Sequence, residues 1–321
     1  MRRRAWFAPA APVWLSLSLL ITSGLADAPR NSEAVRGSVP DDILAMQVRL
    51  DRAGFSPGEI DGHGGENTAR ALRAFQRRHR LSPTGRRDQA TEGALTAIDS
   101  ADILTTYRIA DADVAGPFIP AIPADLMDQA TLPALSYTSV LELLGERFHA
   151  SPRLLQRLNR QVSFEAGASI RVPNVAVPSG AVDQAAVIVT VSKEESGLIV
   201  ETAAGDFLFH APVTTGSELD PLPMGDWTVT GVFRDPVFHY NPELFWDADP
   251  AHAKARVPPG PNNPVGLVWI DLSREHYGLH GAPEPRLVGR TQSHGCVRLT
   301  NWDALRVASL VTKGTRVRFR E

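Results

Sequence analysis

The hydrophobic residues change period once along this chain, and that change limits what it can fold into. Before about Gly180 apolar residues recur in steps of three and four, as in Ile43, Met46, Leu50 and Ala53, which is the spacing of one helix face. Beyond it the runs are short and strand-like. Val187-Ile188-Val189-Thr190-Val191, Leu198-Ile199-Val200-Glu201 and Phe207-Leu208-Phe209 are separated by Ser196-Gly197 and Gly205-Asp206, the pattern of a β-meander. Further strands are predicted over residues 227–232, 267–272 and 315–320, with one helix over 302–311. At 321 residues the chain exceeds one domain of roughly 100–200 residues, so a helical N-terminal part and a mainly β C-terminal part are separate modules.

The N-terminus reads Met1-Arg2-Arg3-Arg4, then an apolar stretch from Val13 to Ile21, then small residues around Gly24-Leu25-Ala26. A basic head, a short apolar segment and a small-residue cleavage site make residues 1–28 a secretory signal. The alternative is an uncleaved anchor, but the apolar run falls short of the roughly 20 residues that span a bilayer. In an oxidising compartment a lone thiol is either buried or used, and Cys296 is the only cysteine in the sequence. The net charge of −3 gives no global attraction to nucleic acid or anionic lipid.

In the N-terminal half, Asp41 caps the first helical pattern and Gly54 ends it. The segment from Pro57 to Gly65 holds a proline and four glycines and reads as a loop. Thr68 is then predicted to cap a second helix with Leu72 and Phe75 facing inward. The set Asp61-Gly62-x-x-Gly65-x-x-Thr68-x-x-x-Leu72-x-x-Phe75-Gln76 resembles the peptidoglycan-binding module of many wall enzymes, over residues 41–97. By that resemblance Asp61, Gly62, Gly65, Thr68, Phe75 and Gln76 belong to a wall-binding unit. His63 has no second ligand at metal spacing and reads as a surface histidine.

Residues 98–136 are rich in Ala, Asp and Pro and read as a semi-rigid linker. After it, Leu141, Leu144 and Phe148 lie at helical spacing, Ser151-Pro152 starts another helix, and Ser169-Ile170-Arg171-Val172-Pro173 is a short strand. This order, with Leu158-Asn159 and Val172-Pro173, resembles the latter part of a LysM module over residues 137–176. Its opening strand is expected near Tyr137. The segment is either a glycan binder, as that family implies, or a packing spacer.

The chemistry concentrates in His280-Gly281 and Ser293-His294-Gly295-Cys296-Val297-Arg298. A thiol of ordinary pKa is only a few per cent thiolate at neutral pH, so a cysteine nucleophile needs an imidazole or a cation beside it. A glycine before the cysteine lets the backbone turn an N–H towards a developing oxyanion. Together these residues closely resemble the signature of the L,D-transpeptidase (YkuD) family. Pro223-Met224-Gly225 and Gly260-Pro261-Asn262-Asn263-Pro264-Val265-Gly266 are similar to two further family segments. The resemblance covers residues 185–321 and implies a mainly β catalytic domain, preceded here by the small all-α module and the LysM-like α/β segment.

By position, the resemblance implies Cys296 as nucleophile, His280 as its base and the Gly281 carbonyl as the group that orients the imidazole. Ser293, His294 and Gly295 would shape the site and its oxyanion hole, and Arg298 would anchor a substrate carboxylate. In the family the substrate is the peptide stem of peptidoglycan. The thiolate attacks the third residue's carbonyl, D-alanine leaves, and an amine of a neighbouring stem resolves the acyl-enzyme as a 3→3 crosslink. Water would make a carboxypeptidase, and a lysine of an outer-membrane lipoprotein would give protein anchoring. No metal or organic cofactor is implied, no nucleic acid is a partner, and a carbapenem is the expected inhibitor. Two other classes stay open: an inactive wall-binding protein, and a papain-type peptidase, in which the histidine follows the cysteine. Tyr240 and Trp246 either line a cleft or fill a core.

Overall fold

The computed structural model describes residues 42–175 and 187–321, and the secretory signal and the Asp41 cap lie outside them. Among the described residues no helix is long and apolar enough to cross a membrane. Helix α1 (Asp42–Arg52), α2 (Glu66–Arg78) and α3 (Gln89–Ile98) form the first module. Its core gathers Met46, Leu50, Phe55, Leu72 and Phe75. Helix α1 is buried on a second side as well, because Leu44 and Val48 join another cluster with Ile60, Leu144, Leu154 and Ile170. The helical module and the segment behind it thus share a core.

Thr68 is not the cap of α2. Gly65 holds that place in an extended conformation without a side-chain bond, and Thr68 is buried one turn in, where its hydroxyl accepts from Gln47 Nε2 at 3.3 Å. Gln47 is the module's organiser: Nε2 also donates to Asp61 Oδ1 and to the His63 carbonyl, and Oε1 accepts from Gly62 N. Gln76 does the same on the other side, donating to the Arg86 carbonyl and Thr91 Oγ1 while accepting from Gly85 N.

The segment read as a linker carries strand β1 (Leu104–Arg108), which pairs antiparallel with β2 (Ser169–Pro173), Leu104 opposite Pro173 and Arg108 opposite Ser169. The opening strand therefore lies about thirty residues before Tyr137, where it was expected, with short helices α4 (Asp111–Val114) and α5 (Leu126–Gln129) between. Leu-Thr-Thr-Tyr is a strand-favouring run whose partner lies far along the chain, which hides it from local reading. Helices α6 (Val140–Arg147) and α7 (Pro152–Leu158) complete a β-α-α-β unit around Leu144, Leu154, Leu155 and Val172.

The C-terminal domain is an eight-stranded sheet built from β3 (Val187–Ser192), β4 (Gly197–Thr202), β5 (Phe207–Pro212), β6 (Gly225–Arg234), β9 (Val268–Leu272), β10 (Gly278–His280), β11 (Val297–Arg298) and β12 (Arg316–Arg320), with a separate hairpin of β7 (Phe238–Tyr240) and β8 (Ala255–Val257). The sheet order is β11-β10-β9-β6-β12-β3-β4-β5, antiparallel except β10 with β11 and β12 with β3. Val187, Val189 and Val191 alternate inward, as the period of two requires. Helix α8 (Asn301–Leu310) packs Ala304 and Val307 on the same core.

The free edge at β5 is covered by the helical module. Ser56 N donates to the His210 carbonyl at 2.9 Å and His210 N to the Gly54 carbonyl at 2.8 Å, while Phe55 stacks on Phe207 at 4.1 Å. An unpaired edge is a template for aggregation, and this contact removes it.

Candidate active site

Register decides which side chains meet at the opposite end of the sheet. In the parallel pair β10–β11, Leu279 lies opposite Val297 and His280 opposite Arg298. Aligned residues of neighbouring strands share a face, and so do residues two apart on one strand. His280 and Arg298 therefore point to one side of the sheet, and Cys296, in the bend that enters β11, lies near enough for the Arg298 charge to act on both it and His280.

His280 is buried, stacks on Trp269 at 5.4 Å, and has Nδ1 2.6 Å from the Gly281 carbonyl. A carbonyl only accepts, so Nδ1 carries the proton and Nε2 keeps its lone pair. Burial, aided by the Arg298 charge and opposed by the bond to Gly281, pushes the imidazole down to about 3. Burial pushes the Cys296 thiol up, against the Gly278 backbone bond and the charge of Arg298. The resting pair is a neutral thiol and a neutral imidazole, and the Cys296 S–H lies 3.6 Å from the His276 carbonyl.

Two glycines hold this geometry. A Cβ at Gly281 would sit 2.1 Å from Asn301 Oδ1, so the turn after His280 is wedged against the start of α8. Asn301 is fixed in turn, taking Leu267 N at 3.1 Å and giving Nδ2 to the Pro261 carbonyl and to Glu146 Oε1 of α6. Gly295 has φ +96°, and a Cβ there would come within 2.6 Å of the Tyr277 ring. A left-handed residue at that place turns the chain into the cysteine.

Ser293 closes the loop by donating Oγ to the Cys296 carbonyl at 2.6 Å. His294 turns outward: Nε2 lies 2.8 Å from Asp247 Oδ1, and Phe245 meets the ring edge-on at 5.1 Å. The loop after β7 thus reaches the residue two before Cys296, and nothing in the sequence spacing announces Asp247. Tyr240 fills a core with Leu135 and Val257, whereas Trp246 is exposed near His294. His276 is exposed at the surface beside Glu275.

The wall-module residues fall elsewhere. Asp61, Gly62 and Thr68 bind Gln47, and Phe75 and Gln76 are fully buried. Their side chains hold the module together rather than face a polymer. His63 is exposed and supplies Gln47 with a carbonyl. Among the described residues no group of three or more His, Cys, Asp or Glu is placed to hold a metal.

Residues 186–318 match the model of the L,D-transpeptidase catalytic domain, YkuD, and residues 40–95 that of the "Putative peptidoglycan binding domain". Over 59 residues the chain is 48% identical to the "Putative L,D-transpeptidase YkuD" of Bacillus licheniformis, covering 18% of this chain and 36% of that protein. Over 65 residues it is 45% identical to the "Probable L,D-transpeptidase YbiS" of Escherichia coli K12, covering 20% and 21%. The chain thus spans about a third or less of the length of these relatives. Among solved structures, an L,D-transpeptidase from Mycobacterium smegmatis is 18% identical over 53% of this chain and 85% of its own, with a TM-score of 0.35. L,D-transpeptidase 3 from Mycobacterium tuberculosis, in complex with a faropenem-derived adduct, is 19% identical over 50% and 77%, with a TM-score of 0.35.

Proposed function

Since residues 186–318 belong to the L,D-transpeptidase (YkuD) catalytic-domain family and residues 40–95 to a peptidoglycan-binding family, we propose that this chain transfers acyl groups between peptidoglycan stem peptides through Cys296. The observation that carries the reading is the imidazole of His280, pinned by Nδ1 to the Gly281 carbonyl and paired in register with Arg298, two residues after Cys296.

In the first half-reaction Nε2 of His280 takes the thiol proton as the sulfur attacks the carbonyl of the stem's third residue. Both partners rest neutral, so proton transfer and attack are coupled rather than preceded by a stored thiolate. The tight turn at Gly295 aims backbone N–H groups at the oxygen that becomes negative. His280 returns the proton to the departing D-alanine, leaving a thioester. In the second half-reaction an amine replaces it, and the product is a 3→3 crosslink. Carbapenem acylation of Cys296 follows from the same nucleophile. Ser293 fixes the loop that presents the sulfur, and His294, braced by Asp247, forms its outer wall.

The helical module would hold the catalytic sheet on the polymer and raise the local density of stems without entering the chemical step. The N-terminal export signal, read from sequence, would deliver the chain to the periplasm. The test is incubation of the full chain with disaccharide-tetrapeptide, followed by mass analysis. Dimers with a 3→3 link are expected, and recovery of unchanged donor with no carbapenem adduct refutes the reading.

A further inference from the structure

The first turn of α8 is where the segments that precede the matched catalytic domain reach the candidate active site. Three successive buried residues, Asn301, Trp302 and Asp303, each meet a side chain from those segments. Asn301 Nδ2 donates to Glu146 Oε1 at 3.0 Å, Trp302 stacks on His149 at 5.2 Å and 9°, and Asp303 Oδ2 accepts from Ser56 Oγ at 2.9 Å. Glu146 lies in α6 and His149 two residues past its end.

Of the three contacts, the one at Asn301 leads on to His280. Its Oδ1 accepts from Leu267 N at 3.1 Å, and a Cβ built on Gly266 or on Gly281 would lie 2.1 Å from that oxygen. Asn301 Oδ1 is therefore packed against both backbones, at the turn whose carbonyl holds His280 Nδ1 at 2.6 Å. Glu142, four residues before Glu146 and on the same face of α6, holds the neighbouring segment. Its Oε1 accepts from Asn262 Nδ2 at 2.7 Å, and Asn262 belongs to the run 260–266 that ends at Gly266. Glu142 is anchored in turn, because Oε2 accepts from Thr138 N at 2.6 Å.

We propose that α6 is a brace for the catalytic base: Glu146, acting through Asn301, and Glu142, acting through Asn262, are positioning residues that fix the Gly281 carbonyl and with it the ring of His280. The inference rests on the acyl-transfer reading above and adds to it two residues from outside the matched domain. A single carbonyl oxygen orients the imidazole, so a tilt of its peptide plane swings Nε2 away from the thiol, and a misplacement of about 1 Å can cost up to about 100-fold in rate. Apolar side chains would seal this seam at less cost than carboxyl groups, so the two glutamates serve aim as well as packing. Burial raises the Glu146 carboxyl to about 8, which makes it a neutral hydrogen-bonding group at pH 7 and glutamine its close mimic. The β-α-α-β unit thus has an intramolecular task, to present α6 to the catalytic domain.

The test uses the full chain and reads release of D-alanine from disaccharide-tetrapeptide at pH 7. Glu146→Leu should lower kcat about 5-fold and Glu142→Leu about 3-fold, with KM in each within about 2-fold of wild type, because the chemical step and not binding is disturbed. Glu146→Gln should recover kcat to within about 2-fold, since its amide oxygen still accepts from Asn301. In an Asn301→Ala background Glu146→Leu should cost less than about 2-fold more, because the two residues act as one path. Ser56→Ala, which removes the contact to Asp303, should lower the melting temperature and leave kcat within about 2-fold.

A readout independent of turnover is the His280 Nδ1 proton in the chain labelled with ¹⁵N-histidine, identified by its loss in His280→Gln. Its exchange with solvent should be at least about 10-fold faster in Glu146→Leu and as slow as wild type in Ser56→Ala. Melting curves establish that each variant is folded at the assay temperature. Wild-type kcat and exchange in folded Glu146→Leu, an equal fall in Glu146→Gln and Glu146→Leu, or a fully additive loss in the double variant overturns the proposal. A wild-type chain that releases no D-alanine and forms no carbapenem adduct removes the acyl-transfer reading instead, while the exchange of the His280 proton still decides whether α6 braces the imidazole.

Discussion

The β10–β11 edge and the helical module both carry a family motif, yet they use their motif residues in opposite ways. At the sheet edge the backbone does the holding: a strand register, two crowded glycines and a carbonyl leave the Cys296, His280 and Arg298 side chains free to react or bind. In the helical module the side chains do the holding, since Asp61, Thr68 and Gln76 spend their polar atoms on internal bonds and Phe75 fills the core. A motif residue can encode chemistry or it can encode shape, and burial together with partner lists tells which.

That contrast breaks most readily at Cys296. Cys296→Ala should lower acyl transfer by at least about 10³-fold, while the melting temperature moves by no more than about 2 °C, because a single sulfur leaves a small cavity. Parallel product and melting assays check both. A variant that retains turnover would mean that the free side chain at this edge is not the reacting one.

The opposite signature is expected at Gln47. Its amide serves Asp61, His63, Thr68 and Gly62 at once. Gln47→Ala should therefore destabilise the chain by about 3 kcal/mol, since several buried polar groups lose their partner together. Denaturant titration gives the value, and kcat on a small soluble muropeptide should change less than about 2-fold in the folded protein. A large fall in kcat with unchanged stability would reverse the assignment.

Asn301 sharpens the comparison because it joins the two ways of working. Its side chain braces Gly281 from one side and donates Nδ2 to Glu146 of the preceding module on the other. Asn301→Ala should free the turn that carries the orienting carbonyl and lower kcat about 10-fold, with KM for the donor little changed, since misplacement of the base acts on the chemical step. Asn301→Asp keeps the Oδ1 acceptor for Leu267 N, so recovery should be partial.

The candidate edge was legible because its residues are close in sequence and the register sets His280 opposite Arg298. Two short motifs, at 280–281 and 293–298, contain the His280 and Arg298 that the register pairs and the Cys296 that precedes β11. The mainly β domain and the helical module were legible from period alone. What was hidden depends on docking between distant segments. β1 finds its partner more than sixty residues later, and Asp247 meets His294 only because the loop after β7 folds back. Gln47 was hidden for another reason: a glutamine in an amphipathic helix looks solvated, and only the loop folding over it makes it interior.

The smallest expected effect concerns pH, and it separates the two regions by sign. In the sheet domain burial pushes His280 and His210 down to about 3, so both are neutral when folded. Unfolded, a histidine binds a proton below about 6.5. Their contribution to stability is complete above that value and is lost as pH falls from 6.5 towards 3. The junction between modules behaves the other way. Burial raises Glu146 to about 8, Asp303 to about 7 and Glu59 to about 7. Between their ordinary values near 4 and these raised ones the folded carboxyls keep protons that the unfolded chain has released, so stability falls as pH rises through that window. His149 adds to this trend: burial lowers it, but Asp51, at 3.0 Å, raises it further, and a histidine held protonated loses its contribution as pH climbs. Acid should therefore loosen the sheet first and mild base the junction. Glu146→Gln isolates the second effect, because the amide oxygen still accepts from Asn301 and carries no proton to lose. The variant should melt about 3 °C above wild type at pH 8 and level with it at pH 5. Calorimetry at both pH values decides, and an equal shift at each would show that Glu146 is not protonated in the folded chain.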